Sequence, residues 1–125
     1  MPIFAGVWKA NVNGHVLDLT IGRAGADGVV DIQLLGFPTR GFWDEGGQRL
    51  TFGVTATPID SPFVAAFDGC LIRTPPNPAP GQDVALTLTG TFTAYFPSAG
   101  DPSHPAVASS RRSVFGWYAT AAEVN

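Results

Sequence analysis

Two alternating runs flank an Asn-Gly pair in the stretch Phe4–Ile21, which reads FAGVWKANVNGHVLDLTI. Side chains of a strand alternate between its two faces, so each run predicts a half-buried β-strand. An Asn-Gly pair between two such runs favours a two-residue turn with positive φ at both positions. The stretch therefore predicts an antiparallel hairpin at the start of the chain.

The same alternation continues along the sequence, punctuated by 15 glycines and 11 prolines, which argues against long helices. Turns are predicted at 25–28 and 46–47, and proline-bounded loops at 58–62 and 74–82. Further strands are predicted at 30–34, at 41–45 after an interruption by Pro38, at 50–56, at 63–73, at 84–96 and at 113–122. The strand at 63–73 is apolar on both faces, which predicts a sheet covered on each side.

Eight antiparallel strands in up-and-down order predict a closed β-barrel, because closure pairs the two edge strands that an open sheet would expose. A β-sandwich is the main alternative. The length of 125 residues fits a single domain over 1–125. The interior of such a barrel has room for packed side chains or for one small ligand.

The longest irregular stretch is 97–111, which carries three prolines and no periodicity. Connections of this length in compact domains are often lids or binding loops. We therefore consider it a candidate interaction loop.

Charge and composition exclude several classes of function. The net charge is −3, with one lysine and six scattered arginines, so we expect no nucleic-acid partner. One cysteine cannot form an intrachain disulfide, and two distant histidines offer no metal-ligand spacing, so we expect no metal and no cofactor. Without a signal peptide or an apolar run long enough to span a bilayer, we expect no membrane partner and a cytoplasmic location, or secretion if a leader was removed.

Four motifs in the first 75 or so residues occur in a fixed order: Gly6-Val7-Trp8, Ala26-Asp27-Gly28, Thr51–Thr55 and Phe67–Ile72. Their order and spacing resemble those of the avidin family and, more loosely, of the calycin superfamily with its Gly-x-Trp opening strand. The resemblance implies an eight-stranded barrel in which Arg112 packs over the indole of Trp8.

The biotin-binding residues of that family are not retained. Ala10 stands where the family has an asparagine, Asn13-Gly14-His15 fills the first hairpin, and Leu34 falls near the position of a tyrosine. The 97–111 stretch carries no tryptophan. Each missing hydrogen-bond partner costs about 1 to 3 kcal/mol, so we do not expect tight biotin binding.

We expect a ligand site formed by polar residues of the first strands and by aromatic residues of the barrel. Its expected members are Asn11, Asn13, His15, Gln33, Trp43, Phe52 and Trp117. Trp43 and Trp117 exceed what a small core needs, so aromatic residues of this set either line a cavity or cover an interface between subunits of a homodimer or homotetramer.

The leading hypothesis is a non-enzymatic barrel that binds a small, largely apolar molecule and assembles with itself. The first alternative is an isomerase or cyclase for an apolar substrate that uses Asp18, Asp31 or His15 for proton transfer. It requires at least one of these groups to point into the lumen. The second alternative is an interaction or inhibitor module that acts through the 97–111 loop.

Overall fold

The computed structural model describes residues 3–56, 63–98 and 109–124, which form a closed barrel of eight antiparallel strands in sequence order. This architecture confirms the predicted fold class. The strands are β1 (Gly6–Val12), β2 (His15–Ile21), β3 (Val29–Leu34), β4 (Phe37–Asp44), β5 (Arg49–Ala56), β6 (Phe63–Thr74), β7 (Asp83–Ser98) and β8 (Ser109–Val124).

The barrel closes where β1 pairs with β8, and this ladder is short. It joins four residue pairs, from Lys9 opposite Thr120 to Val12 opposite Trp117. The neighbouring β7–β8 ladder runs from Asp83 opposite Val124 to Ser98 opposite Ser109. The seam between the first and last strands is therefore much shorter than the ribbon beside it.

The core fills the barrel with alternate side chains from every strand, as the sequence pattern predicts. Among the described residues, every buried side chain is apolar, and no polar or charged residue is buried. The largest completely enclosed side chains are Trp8, Leu19, Ile21, Leu50, Leu86 and Leu88. Burial of this apolar surface is the main force that holds the barrel closed.

The first hairpin has the predicted geometry. Val12 pairs with His15, and the two residues between them have positive φ, 51° at Asn13 and 84° at Gly14. The Asn11 side-chain oxygen accepts a hydrogen bond from the Gly14 amide at 3.1 Å. This turn fixes the β1–β2 register and thus places Leu17 and Leu19 on the inner face.

The predicted start of the fourth strand is wrong. The chain turns at Leu35 and Gly36, whose φ values are 52° and 80°, and β4 begins at Phe37 with Pro38 inside it. Pro38 pairs with Gln33 next to this turn, in a position where its nitrogen points away from β3. Since β5 pairs with β4 only from Gly41 onward, no ladder hydrogen bond is lost at the proline.

The bounds of the predicted 97–111 loop are also wrong. Pro97 and Ser98 belong to β7, and they pair with Ser110 and Ser109 of β8. The strands therefore extend into both ends of the proposed loop, and its remainder, 99–108, lies outside the described residues.

The expectation that β6 is covered on both faces is wrong for the single chain. Its inner face is buried, whereas Val64 and Ile72 on its outer face are 48% and 49% exposed. The apolar outer face of β6 is thus open to solvent in one barrel.

Candidate functional site

One end of the barrel, here called the mouth, lies at the turns 13–14 and 35–36. A cavity of about 590 Å³ opens there and reaches into the lumen. Twelve of the described residues line it, and ten of these are apolar: Val12, Leu17, Leu34, Leu35, Phe37, Val54, Ala65, Phe67, Phe92 and Ala94, with Asn13 and His15 as the other two. The volume lies within the range of about 300 to 1,000 Å³ that is usual for small-molecule sites.

The cavity exists because side chains shrink towards the mouth. Phe67 of β6 pairs with Phe92 of β7, and one step of the inner face nearer the mouth Ala65 pairs with Ala94. The phenyl rings stack with centroids 4.8 Å apart and fill the lumen at their level. The two alanines above them leave the space that the phenylalanines occupy below.

An aromatic cluster forms the floor under this space. Phe67 packs on Phe52 and on Trp117, with ring centroids 4.7 Å and 5.6 Å apart. The indole nitrogen of Trp117 donates to the backbone oxygens of Asp68 at 3.2 Å and Thr91 at 3.1 Å. Since its polar atom is satisfied by the barrel wall, the Trp117 ring is held as a fixed, apolar base for the cavity.

The rim of the mouth carries its two polar lining residues, Asn13 and His15, and both are exposed. His15 has the same parity as the inward-facing Leu17 and Leu19 of β2, so it lies on the lumen side of the strand. The structure thus brings two of the seven sequence-predicted ligand residues to the cavity itself.

Phe52 and Trp117, also predicted, are buried below the cavity and support its floor rather than line it. Asn11 lies on the outer face of β1, between the inward Ala10 and Val12, and its side chain holds the turn. Asn11 therefore does not line the cavity at the mouth, because its place in the alternation directs it outward.

Two further predicted residues lie away from the lumen cavity. Gln33 is on the outer face of β3, and its side-chain nitrogen donates to the Gly36 oxygen at 3.5 Å. Trp43 is buried near the opposite end of the barrel, where its indole nitrogen donates to Glu45 Oε2 at 2.7 Å. Neither residue lines the cavity at the mouth, since Gln33 lies on the outer face of β3 and Trp43 lies near the opposite end of the barrel.

The predicted contact between Arg112 and Trp8 is also wrong. The β1–β8 register places Lys9, the neighbour of Trp8, opposite Thr120. Arg112 lies eight residues earlier on β8, about 26 Å away at roughly 3.3 Å per residue. Trp8 is fully buried and instead donates from its indole nitrogen to the Phe4 oxygen at 3.1 Å.

The carboxylates considered for proton transfer face solvent. Asp18 forms an ion pair with Lys9, and Asp31 lies 3.5 Å from Arg40, with all four side chains more than half exposed. Of the three groups that the enzyme hypothesis offered, only His15 lies on the lumen side, at the exposed rim. An acid–base pair inside the lumen is therefore not formed by these residues.

Sequence reasoning missed the residues that create the space, Ala65 and Ala94. The alternation places each of them on an inner face, but they are 29 positions apart in the sequence and only the β6–β7 register shows that they pair. The sequence did contain a signal. Ala65 stands two positions before Phe67, and Ala94 stands two positions after Phe92, so each alanine shares the inner face of its strand with a phenylalanine.

Among the described residues, no group of three or more His, Cys, Asp and Glu side chains could hold a metal ion. The described residues contain no helix, and hence none long and apolar enough to cross a membrane. Comparisons with known proteins found no matching family model, no matching curated protein and no matching solved structure.

Proposed function

We propose that this barrel binds a small, largely apolar molecule in the cavity at its mouth, without chemically changing it. The observation that carries the proposal is an open space of about 590 Å³ for which the described residues supply ten apolar side chains, with two polar ones at the rim. Transfer of apolar surface from water into such a space gains about 25 cal/mol per Å². A ligand with an apolar body therefore gains most of its binding energy from the lumen.

The outward positions of Asp18 and Asp31 favour binding over catalysis. Proton transfer at a substrate in the lumen needs a titratable group within hydrogen-bond reach of it. The described side chains around the deep part of the cavity include Val54, Phe67 and Phe92. These side chains offer apolar contact and carry no acid or base.

The experiment is a titration with the fluorescent apolar probe N-phenyl-1-naphthylamine. Ala94→Leu fills the cavity from its wall and should weaken binding at least about tenfold, which corresponds to about 1.4 kcal/mol. Ala66→Leu is the matched control, because Ala66 lies next to Ala65 on the exposed outer face of β6. Equal binding of the probe by both variants and the unsubstituted protein would refute the lumen as the site.

We also propose that the barrel associates with a second copy through the outer face of β6, β7 and β8. Val64, Ile72, Tyr95, Val114 and Tyr118 on this face are between 41% and 56% exposed. Between them lie the threonines of β7, so the face carries few charges and suits a pleated, buried contact.

A further inference from the structure

The barrel wall is incomplete beside the mouth, between β2 and the turn at Leu35 and Gly36. The β2–β3 ladder joins only Leu19–Ile21 of β2 to Ile32–Leu34 of β3. Towards the mouth β3 ends at Leu34, and the Leu35 amide still donates a hydrogen bond of 3.4 Å to the Asp18 oxygen. Beyond this bond β2 continues to Val16 and His15 without a described partner on that side, and this open place is called the split. A groove of about 480 Å³ occupies the outer side of this split.

The split joins the groove to the lumen. Leu17 and Leu35 line both the groove and the mouth cavity. An elongated molecule can therefore lie with one end in the lumen and the other end in the groove, where Asp18, Thr20 and Gln33 supply polar groups.

The edge of β2 in the split presents unmade backbone hydrogen bonds. Val12 and His15 form the hydrogen-bonded pair that closes the first hairpin, so the alternation turns the N–H and C=O of Val16 towards β3. The bond from Leu35 to the Asp18 oxygen agrees with this parity. Within the described part of the chain, no residue of β3 pairs with Val16.

We propose that the ligand is a linear acyl amide, with its hydrocarbon chain in the lumen and its amide group paired with Val16 in the split. This inference rests on the proposed function. A neighbouring strand would present one N–H and one C=O to Val16 on the same side. A primary amide can do the same, because one of its two N–H bonds lies on the same side as its carbonyl oxygen, whereas a longer acyl chain does so with the N–H of one amide and the C=O of the next. The cavity of about 590 Å³ equals the liquid volume of about 20 water molecules, at roughly 30 Å³ each, which is enough space for a chain of ten carbons.

The chemistry of the groove favours an uncharged head group. The Asp18 carboxylate lines the groove and repels an anionic head group. An uncharged amide can instead donate a hydrogen bond to the Val16 C=O and accept one from the Val16 N–H. A fatty acid should therefore bind less tightly than the amide of the same chain length.

The test measures displacement of N-phenyl-1-naphthylamine by decanamide, N,N-dimethyldecanamide, decanol and decanoate at neutral pH. We expect decanamide to bind about two- to tenfold more tightly than decanol or the dimethylated amide. This difference corresponds to the net contribution of about one hydrogen bond. Decanoate should bind least tightly.

N-decanoylglycinamide, which continues into the groove as a peptide, should bind at least as well as decanamide if the natural ligand is an acylated peptide, and more weakly if it is a simple fatty amide.

Val16→Pro removes the Val16 N–H on the unpaired side of the strand, and Val16→Ala is the control that keeps it. The proline variant should lose the preference for decanamide over decanol, and the alanine variant should retain it. Equal affinities for decanamide, its dimethylated form and decanol in the unsubstituted protein would overturn the inference while leaving the proposed function in place. If none of the compounds displaces the probe, the proposed function fails as well.

Discussion

Gly69 lies directly under the indole of Trp117, so that a Cβ atom at position 69 would be 2.7 Å from Trp117 Cζ2. Gly69 pairs with Gly90 across the β6–β7 ladder, and Trp117 in turn pairs with Gly90. The absence of a side chain at Gly69 lets the large ring lie against the wall, where it supports Phe52 and Phe67 beneath the cavity.

Gly69→Ala should destabilise the barrel by about 1 to 3 kcal/mol, because the added methyl group displaces a ring that is packed on all sides. The control is Gly53→Ala on the adjacent strand, where a Cβ would meet only the Ala65 oxygen at 3.6 Å, an ordinary contact. We expect that change to stay within about 0.5 kcal/mol. Urea denaturation measures both, and equal stabilities would contradict the described packing of Trp117.

Leu35→Asn should stabilise the protein by about 0.5 to 1 kcal/mol. Leu35 has a φ of 52° and is 58% exposed, so it has an unfavourable backbone conformation and loses little packing when replaced. Asparagine tolerates this conformation and converts the turn into the Asn-Gly type. The reverse change in the first hairpin, Asn13→Leu, should destabilise by a similar amount. Thermal unfolding of both variants checks the pair, and a loss of stability in Leu35→Asn would contradict it.

Phe92→Leu should deepen the cavity at its floor. Phe92 lines the lumen and stacks on Phe67, so a smaller side chain frees volume below the alanine pair at a cost of about 1 to 2 kcal/mol in stability. Within a series of n-alkyl alcohols, the chain length that binds best should increase. Phe42→Leu is the control, since Phe42 is 51% exposed on the outer face of β4 and should leave that optimum unchanged. An unchanged optimum in Phe92→Leu would place the bound chain elsewhere.

Tyr118→Glu should weaken self-association, because it introduces a charge on the β8 side of the exposed face of β6, β7 and β8. Val29→Glu makes a comparable change on β3, across the barrel, and should have no effect on assembly. Sedimentation velocity over a range of protein concentrations measures the result. A monomer at all concentrations before substitution would exclude the proposed association.

The sequence predicted those parts of the barrel where local chemistry and long-range packing agree. Asn13 and Gly14 favour the turn by themselves, and the alternation on β2, β3, β5 and β7 matches the buried faces. The turn at Leu35 was missed because leucine rarely has a positive φ, and only the pairing of Leu34 with Phe37 imposes it. The C-terminal end of β7 and the N-terminal end of β8 were missed because proline and serine favour strands only weakly. These ends are strands because they pair with each other, Pro97 with Ser110 and Ser98 with Ser109.

The candidate site was predictable to a smaller extent, since it depends on register between distant strands. Asn13 and His15 adjoin a turn that the sequence identifies, and their place at the rim follows once the barrel closes. Ala65, Ala94 and the split beside Val16 depend on which residues face each other across ladders. The expected contact between Arg112 and Trp8 was wrong for the same reason. A family pattern gives residue types, but it does not give the register in which β1 pairs with β8.

The first hairpin is held on both sides by short ladders, the seam between β1 and β8 and the ladder between β2 and β3. With four residue pairs to separate from β8 and three from β3, the first hairpin can swing outward as a unit at a lower free-energy cost than opening of the 16-pair β7–β8 ladder. Amide protons of Lys9 and Asn11 should then exchange with deuterium well before those of Phe92 or Trp117. This outward movement of the hairpin would carry Asn13 and His15 away from the aromatic cluster at the floor of the cavity. The entrance for an incoming molecule would then be wider.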